Sequence, residues 1–244
     1  MNRQVAATIL IPVLNEAGNL APIVDEIVSA FAGWTYEILF VNDGSTDGTA
    51  AELRQLQECH AFITVVTHAS RCGKSTALVT GARRAKYPWL ATMDGDGQDD
   101  PRDVVAMLQA AAMAEQEGTE RFLCICGRRI NRQDTTLKRI SSKIANRVRR
   151  SLLNDNTPDT GCGLKAFRRD DFLTIPHFTN MHRFFPALFI RSGGRTVSVP
   201  VTNRPRQCGV SKYGFHNRLW VGIVDMFGVM WLLQRPTNRE IIQG

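Results

Sequence analysis

Short apolar runs alternate with segments of helical periodicity through the first half of the chain. Each run is rich in branched and aromatic residues, which predicts a buried strand. Each following segment repeats its apolar residues at spacings of three and four, which predicts a helix. Continuous apolar strands separated by helices are typical of a mostly parallel α/β sheet with helices on both faces. The predicted strands are 8–13, 37–42, 62–67 and 89–93, and the helices are 19–31, 49–59, 71–86 and 101–117.

The second half is less regular, and its elements differ from the first half in charge. Strands are predicted at 122–126 and 195–201, a basic amphipathic helix at 137–153, and a last helix at 215–234. We expect residues 1–214 to form the main domain. We expect 215–244 to form a C-terminal membrane-interface helix and tail.

Acidic and amide side chains follow three of the predicted strands. Asn15 and Glu16 follow the first, Asp43 the second, and Asp94 and Asp96 the fourth. The carboxyl ends of parallel strands share one edge, where ligands bind. Two carboxylates one residue apart on an extended chain point the same way. Oxygen ligands of this kind suit Mg²⁺ or Mn²⁺, although a bare Asp-x-Asp is also compatible with a solvated acidic turn.

The net charge of +7 is unevenly distributed. Residues 1–120 carry 8 Lys/Arg and 16 Asp/Glu, whereas residues 121–153 carry 10 and 1. An acidic first half and a basic second half suggest a cation site that faces anionic groups. Without aromatic residues interleaved in the basic stretch, nucleic acid is disfavoured as a partner. The predicted helix 137–153 fits either an anionic membrane surface or a core-packed helix with a solvated basic face.

The last helix contains a fifteen-residue apolar run, 219–233, that is interrupted by Asp225. At ~1.5 Å per residue it covers about 22 Å, which is short of the ~30 Å hydrocarbon core. Trp220 and Trp231 near its ends favour an interfacial position, with a core helix as the alternative. No run reaches the ~18 apolar residues of a spanning helix, and we expect no signal peptide.

Several familiar motifs are absent or have simpler interpretations. The six cysteines lack zinc spacing and are interpreted as reduced core thiols of a cytosolic chain. The segment 71–75 resembles the end of a phosphate-binding loop, but His68 replaces its first glycine, so a nucleoside triphosphatase is rejected. No Gly-x-Ser-x-Gly nucleophile occurs, and the five histidines are interpreted as structural. Asp99 and Asp100 are interpreted as the acidic start of the following helix.

Five segments occur in the order that is found in a known family. They resemble family 2 glycosyltransferases of the GT-A fold, and specifically the branch that acts on polyprenyl phosphates, similar to dolichol-phosphate mannose synthase. The resemblance covers about residues 7–215, and its last two segments point to that branch. The segments are IPVLNEAGNL, VNDGSTDGT, DGDGQDDP, NTPDTGCGLKAFRR and NRPRQCGVSKYG.

The resemblance implies roles for individual residues. It assigns nucleotide binding to Pro12, Asn15, Glu16, Asp43 and Asp94, and the divalent cation to Asp94, Asp96 and Gln98. It assigns the acceptor phosphate to Arg129 and, less directly, Arg139. It assigns the donor diphosphate to Arg206 and Lys212, and catalysis to Asp96, Arg129, Arg206 and Lys212. Two departures, Asn42 for a frequent Asp and Asn203 for a frequent His, bear on the choice of donor.

The implied chemistry agrees with the residue types. A divalent ion and a basic pair would neutralise the leaving diphosphate. A lipid phosphate is already an oxyanion, so it needs no catalytic base, and its attack would invert the anomeric centre. We therefore expect a metal-dependent, inverting hexosyltransferase that uses a GDP- or UDP-sugar and a polyprenyl phosphate.

This enzyme is expected to be cytoplasmic and peripheral to the inner membrane, with a membrane protein partner or homo-oligomer as possible further partners. One alternative is transfer to a soluble or cell-envelope glycan, which would need a base. A more remote alternative is an inactive subunit that recruits partners to the membrane.

Overall fold

A computed structural model describes residues 4–130, 149–155, 157–205 and 215–235 of the chain, without side chains for 215–220. Its strands form one mixed sheet. The strands are β1 (Ala7–Val13), β2 (Tyr36–Asn42), β3 (Ile63–Thr67), β4 (Trp89–Thr92), β5 (Leu123–Arg129), β6 (Lys165–Arg168) and β7 (Arg195–Val201).

Most helices connect successive strands and pack on the sheet. The helices are α1 (Leu20–Ala30), α2 (Thr49–Cys59), α3 (Lys74–Arg84), α4 (Pro101–Gln116), α5 (Arg169–Thr174), α6 (Phe185–Arg191) and α7 (Phe215–Leu233), with a 3₁₀ turn at Met181–Arg183. Residues 149–153 are also helical.

The strand order is β3-β2-β1-β4-β6-β5-β7. The strands β3, β2, β1 and β4 are parallel neighbours, so their carboxyl ends lie along one edge. The strand β6 runs antiparallel between β4 and β5, and β7 is parallel to β5. The predicted mostly parallel α/β architecture is therefore confirmed.

Both faces of the sheet are covered, which explains the continuous apolar runs of the sequence. In β1, Ile9 and Ile11 belong to the core under α1, α2 and α4, whereas Leu10 points into the core under α3, α5 and α6. All three side chains are fully buried. The polar residue of β1, Thr8, is also buried, and its hydroxyl donates to Glu37 Oε1 at 2.6 Å.

The six predicted strands are confirmed, but β6 and the short helices around it were not predicted. The sequence of β6 is only four residues long and has Lys165 and Arg168 at its ends. Lys165 is buried because its ammonium group donates to the carbonyls of Cys162, at 2.6 Å, and Thr160, at 3.3 Å. Because a buried position of β6 holds a lysine, this strand lacks the continuous apolar run from which a buried strand is predicted.

The start of α1 differs from the prediction. Asn19 occupies the N-cap position, but its side chain makes no capping bond and donates instead to Glu16 Oε2. Glu52 of α2 takes its place and accepts from the backbone N–H groups of Gly18, Leu20 and Ala21, at 2.6–3.1 Å. The cap is thus supplied by a neighbouring helix, which no local pattern reveals.

The prediction of a basic solvated face on helix 137–153 is wrong for Arg149. This side chain is buried, and its guanidinium donates to Asp155 Oδ1 at 3.3 Å and to the Thr157 carbonyl at 2.6 Å. Leu152, in the same predicted helix, is 41% exposed. Residues 137–148 lie outside the described part of the chain.

The predicted core thiols are confirmed for only some cysteines. Cys124, Cys126 and Cys162 are buried, and the first two share a face of β5 with their sulfur atoms 3.6 Å apart. Cys59 and Cys72 are exposed, so their interpretation as core thiols is wrong.

The last helix has the predicted extent and lies partly against α6. Val229 packs into the core, whereas an apolar stripe on the other side faces solvent. The stripe consists of Val221, Val224, Phe227 and Trp231, which are 45–67% exposed. Among the residues with described placement, no helix combines the length and apolarity that crossing a bilayer requires.

Candidate active site

The loops after β1 and β2 are joined into one wall at the carboxyl edge of the sheet. Asn15 has a left-handed backbone, with a φ of 50°, and its side-chain oxygen accepts from Thr46 N at 2.7 Å. Its own N–H donates to Ser45 Oγ at 2.9 Å. The N–H of Glu16 donates to Thr49 Oγ1 at 2.8 Å, and Pro12 lies just before this loop in β1. The predicted convergence of these loops is present.

Asp43 is buried beside this wall and holds a third loop. Its two carboxylate oxygens accept from the N–H groups of Cys72 and Gly73, each at 2.8 Å. The Nδ1 atom of His68 lies 2.9 Å from Asp43 Oδ1. Asp43 therefore positions the loop that leads into α3, which the sequence alone did not indicate.

The acidic motif after β4 folds back on itself. The N–H of Asp94 donates to Asp99 Oδ2 at 3.0 Å, and the N–H of Gln98 donates to Asp96 Oδ1 at 3.2 Å. The interpretation of Asp99 as part of the next helix is wrong, because its carboxylate turns towards Asp94. Asp100 is the N-cap of α4, as predicted, and accepts from Arg102 N at 3.0 Å.

Lys74, the first residue of α3, reaches this motif from the opposite loop. Its ammonium group donates to Asp94 Oδ1. Burial disfavours the charge, but Asp94, helped by Asp99 and Asp96, raises the pKa of Lys74 above its usual value. Burial would likewise raise the pKa of Asp94, yet the lysine holds it below its usual value. The two groups form an ion pair at the centre of the site.

The three carboxylates repel one another, and Lys74 pairs directly with Asp94. Burial, reinforced by the negative charge of Asp94, raises the pKa of Asp99 to about 7. The cluster therefore holds an excess of negative charge that a divalent cation would relieve.

The donor set fits a hard cation such as Mg²⁺ or Mn²⁺, since it consists of carboxylate and amide oxygens. The side-chain nitrogen of Gln98 donates to the Arg204 carbonyl at 3.1 Å, which fixes the orientation of that amide group. Asp94, Asp96 and Gln98 belong to the same closed turn after β4, and their joint coordination of an ion stays a prediction.

The loop 157–164 packs directly on the acidic motif. Thr92 Oγ1 donates to the Gly163 carbonyl at 2.7 Å. A Cβ atom at Gly163 would lie 2.6 Å from Asp94 Oδ2, so only glycine permits this approach.

Arg129, at the end of β5, is joined to the same loop by two hydrogen bonds. Its Nε and Nη2 atoms donate to the two oxygens of Asp159, each at 2.8 Å. Burial opposes the charge, but this ion pair raises the pKa of Arg129 above its usual value. The arginine is thus held beside the site by a partner that was not predicted.

His182 also approaches the site, although it was interpreted as structural. Its Nδ1 atom lies 2.9 Å from Ser75 Oγ at the start of α3. Burial, together with the positive charges of Lys74 and Lys165, lowers the pKa of His182 to about 2. The imidazole is therefore neutral at physiological pH and cannot serve there as a cation.

The segment after β7 reaches back to the first half of the chain through Arg204. Its guanidinium donates to Glu26 at 2.6 Å and to Asp100 at 2.5 Å, and its N–H donates to the Gln98 carbonyl. The predicted basic residues Arg139, Arg206 and Lys212 lie outside the described residues, so their roles stay predictions.

A sequence profile of glycosyl transferase family 2 matches residues 8–175, and the chain belongs to this family. The chain is 29% identical over 232 residues to a dodecaprenyl-phosphate galacturonate synthase of Rhizobium johnstonii, covering 93% of this chain and 67% of that protein. It is 29% identical over 211 residues to an undecaprenyl-phosphate 4-deoxy-4-formamido-L-arabinose transferase of Edwardsiella ictaluri, covering 85% of this chain and 62% of that protein. The chain thus spans about two thirds of the length of these relatives.

Solved structures share the fold. A mannosyltransferase from Pyrobaculum calidifontis in complex with GDP-Man and Mn²⁺ superimposes with a TM-score of 0.68 and 22% identity, over 96% of this chain and 66% of that one. A glucosyl-3-phosphoglycerate synthase from Mycobacterium tuberculosis in complex with Mn²⁺, UDP and phosphoglyceric acid superimposes with a TM-score of 0.68 and 15% identity. The match covers 97% of this chain and 80% of that one. The predicted GT-A fold and family membership are confirmed.

Proposed function

We propose that the protein transfers a hexose from a GDP- or UDP-linked donor to a polyprenyl phosphate, with inversion of the anomeric centre. The observation that carries this proposal is the cluster of Asp94, Asp96 and Asp99 at the carboxyl edge of the sheet, which holds an excess of negative charge. It lies where α/β sheets bind ligands, and its oxygen donors suit a cation that holds a diphosphate. The names of the two relatives, both of which refer to polyprenyl phosphates, support the acceptor.

The donor nucleotide is proposed to lie against the wall formed by the loops after β1 and β2. Pro12, Asn15, Glu16 and Asp43 line this part of the rim in the roles that the family pattern assigns. Hydrogen bonds between the two loops fix the wall before any ligand arrives. Such preorganisation lowers the entropy cost of binding.

Asp94, Asp96 and Gln98 would hold Mg²⁺ or Mn²⁺. When bound, the ion would supply positive charge to the donor diphosphate as the anomeric bond breaks. Lys74 already places one positive charge at this point, and Arg206 and Lys212 are proposed to add two more from the segment after β7.

The acceptor phosphate is proposed to meet Arg129 and Arg139. Arg129 is held in a fixed orientation by Asp159, so a phosphate would contact the guanidinium edge that this pair leaves exposed. Because the phosphate is an oxyanion at neutral pH, these residues need only position it. Attack opposite the leaving diphosphate gives inversion.

A second candidate function is transfer to a soluble or cell-envelope glycan, whose hydroxyl would need a base. Asp99 favours this candidate, because a carboxyl group with a pKa of about 7 can accept a proton near neutrality. A bound cation would lower that pKa, which weakens the candidate. A catalytically inactive recruiting subunit is disfavoured by the assembled carboxylates.

The membrane surface is the proposed location of the reaction, on the cytoplasmic side. The exposed stripe of α7 would enter the interface, with Trp231 near its end and the guanidinium of Arg235 stacked 5.1 Å from that ring. We propose 215–244 as the membrane-interface segment and 1–214 as the catalytic domain. A membrane protein or a second copy of the chain could share this face.

Replacing both Phe227 and Trp231 by serine is expected to reduce binding to anionic liposomes by at least about tenfold, since two large apolar side chains would no longer be buried. Co-sedimentation of the purified protein measures this, and binding of the wild type should weaken at high salt. Met113→Ser removes an equally exposed apolar residue from α4 and should leave binding unchanged. Equal binding of all three proteins would contradict an interfacial α7.

The proposed reaction is tested with a panel of nucleotide sugars, each offered with undecaprenyl phosphate and Mg²⁺ or Mn²⁺. The product is read by mass spectrometry, and its anomeric configuration by NMR. A sugar linked to the lipid phosphate, formed only with a divalent ion, is the expected result. Transfer to a soluble glycan with no lipid product would support the second candidate instead.

A further inference from the structure

A second group of possible metal ligands lies apart from the acidic motif. It consists of Asp43, His68 and Cys72, whose donor atoms all lie within 4.8 Å of one another. Asp43 follows β2, and the other two belong to the loop that leads into α3. The cysteine is exposed, so an ion could reach the group from solvent.

The chemistry of this group differs from that of the acidic motif. A thiolate, an imidazole and a carboxylate favour Zn²⁺ or a similar borderline-soft ion over Mg²⁺ and Mn²⁺. Three protein ligands with a fourth position open to solvent are a common arrangement for zinc. The two sites would therefore select different ions from the same solution.

Two of the three ligands, Asp43 and His68, are already oriented by their neighbours, while the thiol of Cys72 donates to the Ser70 carbonyl at 3.2 Å. The Nε2 atom of His68 lies 3.0 Å from Thr80 Oγ1, which turns Nδ1 towards Asp43. The N–H groups of Cys72 and Gly73 fix the carboxylate. Such outer contacts are the usual support of a metal-binding histidine.

The two loops that carry these ligands approach each other closely. A Cβ atom at Gly44, whose φ is 73°, would lie 2.7 Å from the backbone of Ser70. The loop after β2 and the loop before α3 therefore pack backbone against backbone at this point.

The observed distance between the carboxylate and the imidazole needs only a small adjustment to admit an ion. Asp43 Oδ1 and His68 Nδ1 are 2.9 Å apart. Two ligands on one tetrahedral zinc, with bonds of about 2.0–2.1 Å, are separated by roughly 3.3 Å. On binding, the ion would take the place of the proton on Nδ1 of His68, and the neutral imidazole would hold its one proton on Nε2, directed at Thr80. The thiol of Cys72 would lose its proton to solvent.

We propose that Asp43, His68 and Cys72 form a second metal site, for a zinc-class ion, that competes with the donor nucleotide. The competition rests on the proposed function, in which Asp43 binds the nucleotide. An ion on Asp43 occupies that residue, so the ion and the nucleotide exclude each other. The metal site itself depends only on the three side chains.

Cobalt(II) is the probe, since a thiolate bound to it gives a charge-transfer absorption in the near ultraviolet. The full chain, reduced and supplied with excess Mg²⁺ to fill the oxygen site, is titrated with Co²⁺ and then with Zn²⁺. We expect the absorption to appear with Co²⁺ and to be displaced by Zn²⁺. Its absence from the wild type would overturn the site.

Variants locate the ligand. Cys72→Ser should remove the absorption, and His68→Gln should weaken Co²⁺ binding by at least about tenfold. Cys59→Ser removes another exposed cysteine, and Cys208→Ser removes one outside the described residues; both should retain the absorption. Persistence of the absorption in Cys72→Ser would overturn the assignment. Circular dichroism of each variant checks that the chain is folded.

The competition is tested by adding UDP or GDP to the cobalt-loaded protein. Loss of the absorption supports mutual exclusion, whereas nucleotide binding by calorimetry with the absorption unchanged overturns it. If neither nucleotide binds to the protein supplied with Mg²⁺ and free of cobalt and zinc, the proposed function fails, while the absorption still decides whether the second site exists.

Discussion

Replacing Asp96 by asparagine is expected to abolish metal-dependent turnover, with a loss on the order of 10²-fold or more in kcat/KM. Asparagine keeps the side-chain oxygen that accepts from Gln98 N, so the turn should survive. What it removes is one negative charge at the proposed cation seat. Direct measurement of Mn²⁺ binding and of the initial rate across a Mn²⁺ titration separates lost binding from lost chemistry.

A matched control for this variant is Asp170→Asn. Asp170 has an exposed carboxylate that pairs with the guanidinium of Arg169. It follows β6 in the sequence, whereas the acidic motif follows β4. Its replacement removes the same charge and should leave turnover unchanged. Wild-type activity in Asp96→Asn would remove Asp96 from the cation site.

Replacing Lys74 by methionine is expected to change turnover and metal affinity in opposite directions. The ammonium group of Lys74 competes with a cation for Asp94, so its loss should tighten Mn²⁺ binding by several-fold to about tenfold, or ~1.4 kcal/mol. The same change removes a positive charge from the proposed diphosphate site. We therefore expect kcat/KM for the donor to fall by about 10²-fold.

Calorimetric titration with Mn²⁺ and steady-state kinetics measure the two effects. Lys86→Met is the matched control, because Lys86 is exposed and its ammonium group lies over the ring of Tyr87, away from the carboxylates. Weaker metal binding in Lys74→Met would show that the lysine supports the cation site rather than competing with it. Unchanged donor kinetics would place it outside the reaction.

The first half of the fold could be predicted because its strands are buried on both faces. Most residues of β1 to β4 that face a helix layer are apolar, and the resulting runs are visible without any partner. The strand β6 could not be predicted for the opposite reason. Its buried Lys165 is satisfied by two carbonyl groups that only the folded loop 157–164 brings within reach.

The same distinction applies to the candidate site. Asp43, Asp94 and Asp96 follow strands, so sequence position alone predicted their common edge. Lys74 and His182 come from other loops, and their relation to the carboxylates appears only when α3 and the 3₁₀ turn are packed together. The prediction for Asp99 is wrong because a carboxylate just before a helix is usually explained by the start of that helix. Its observed contact with the N–H of Asp94 forms only once the turn has closed.

The antiparallel placement of β6 has a consequence for how the chain can change. Because β5 and β6 run in opposite directions as neighbours, Cys126 pairs with Lys165 and the intervening segment leaves and re-enters the sheet at one edge. The register of β5 against β6 is set by three pairs, from Cys124 with Phe167 to Cys126 with Lys165. A change in the length of this connection would preserve that register as long as Arg149 and Leu153 stay buried and Arg149 keeps its bond to the Thr157 carbonyl.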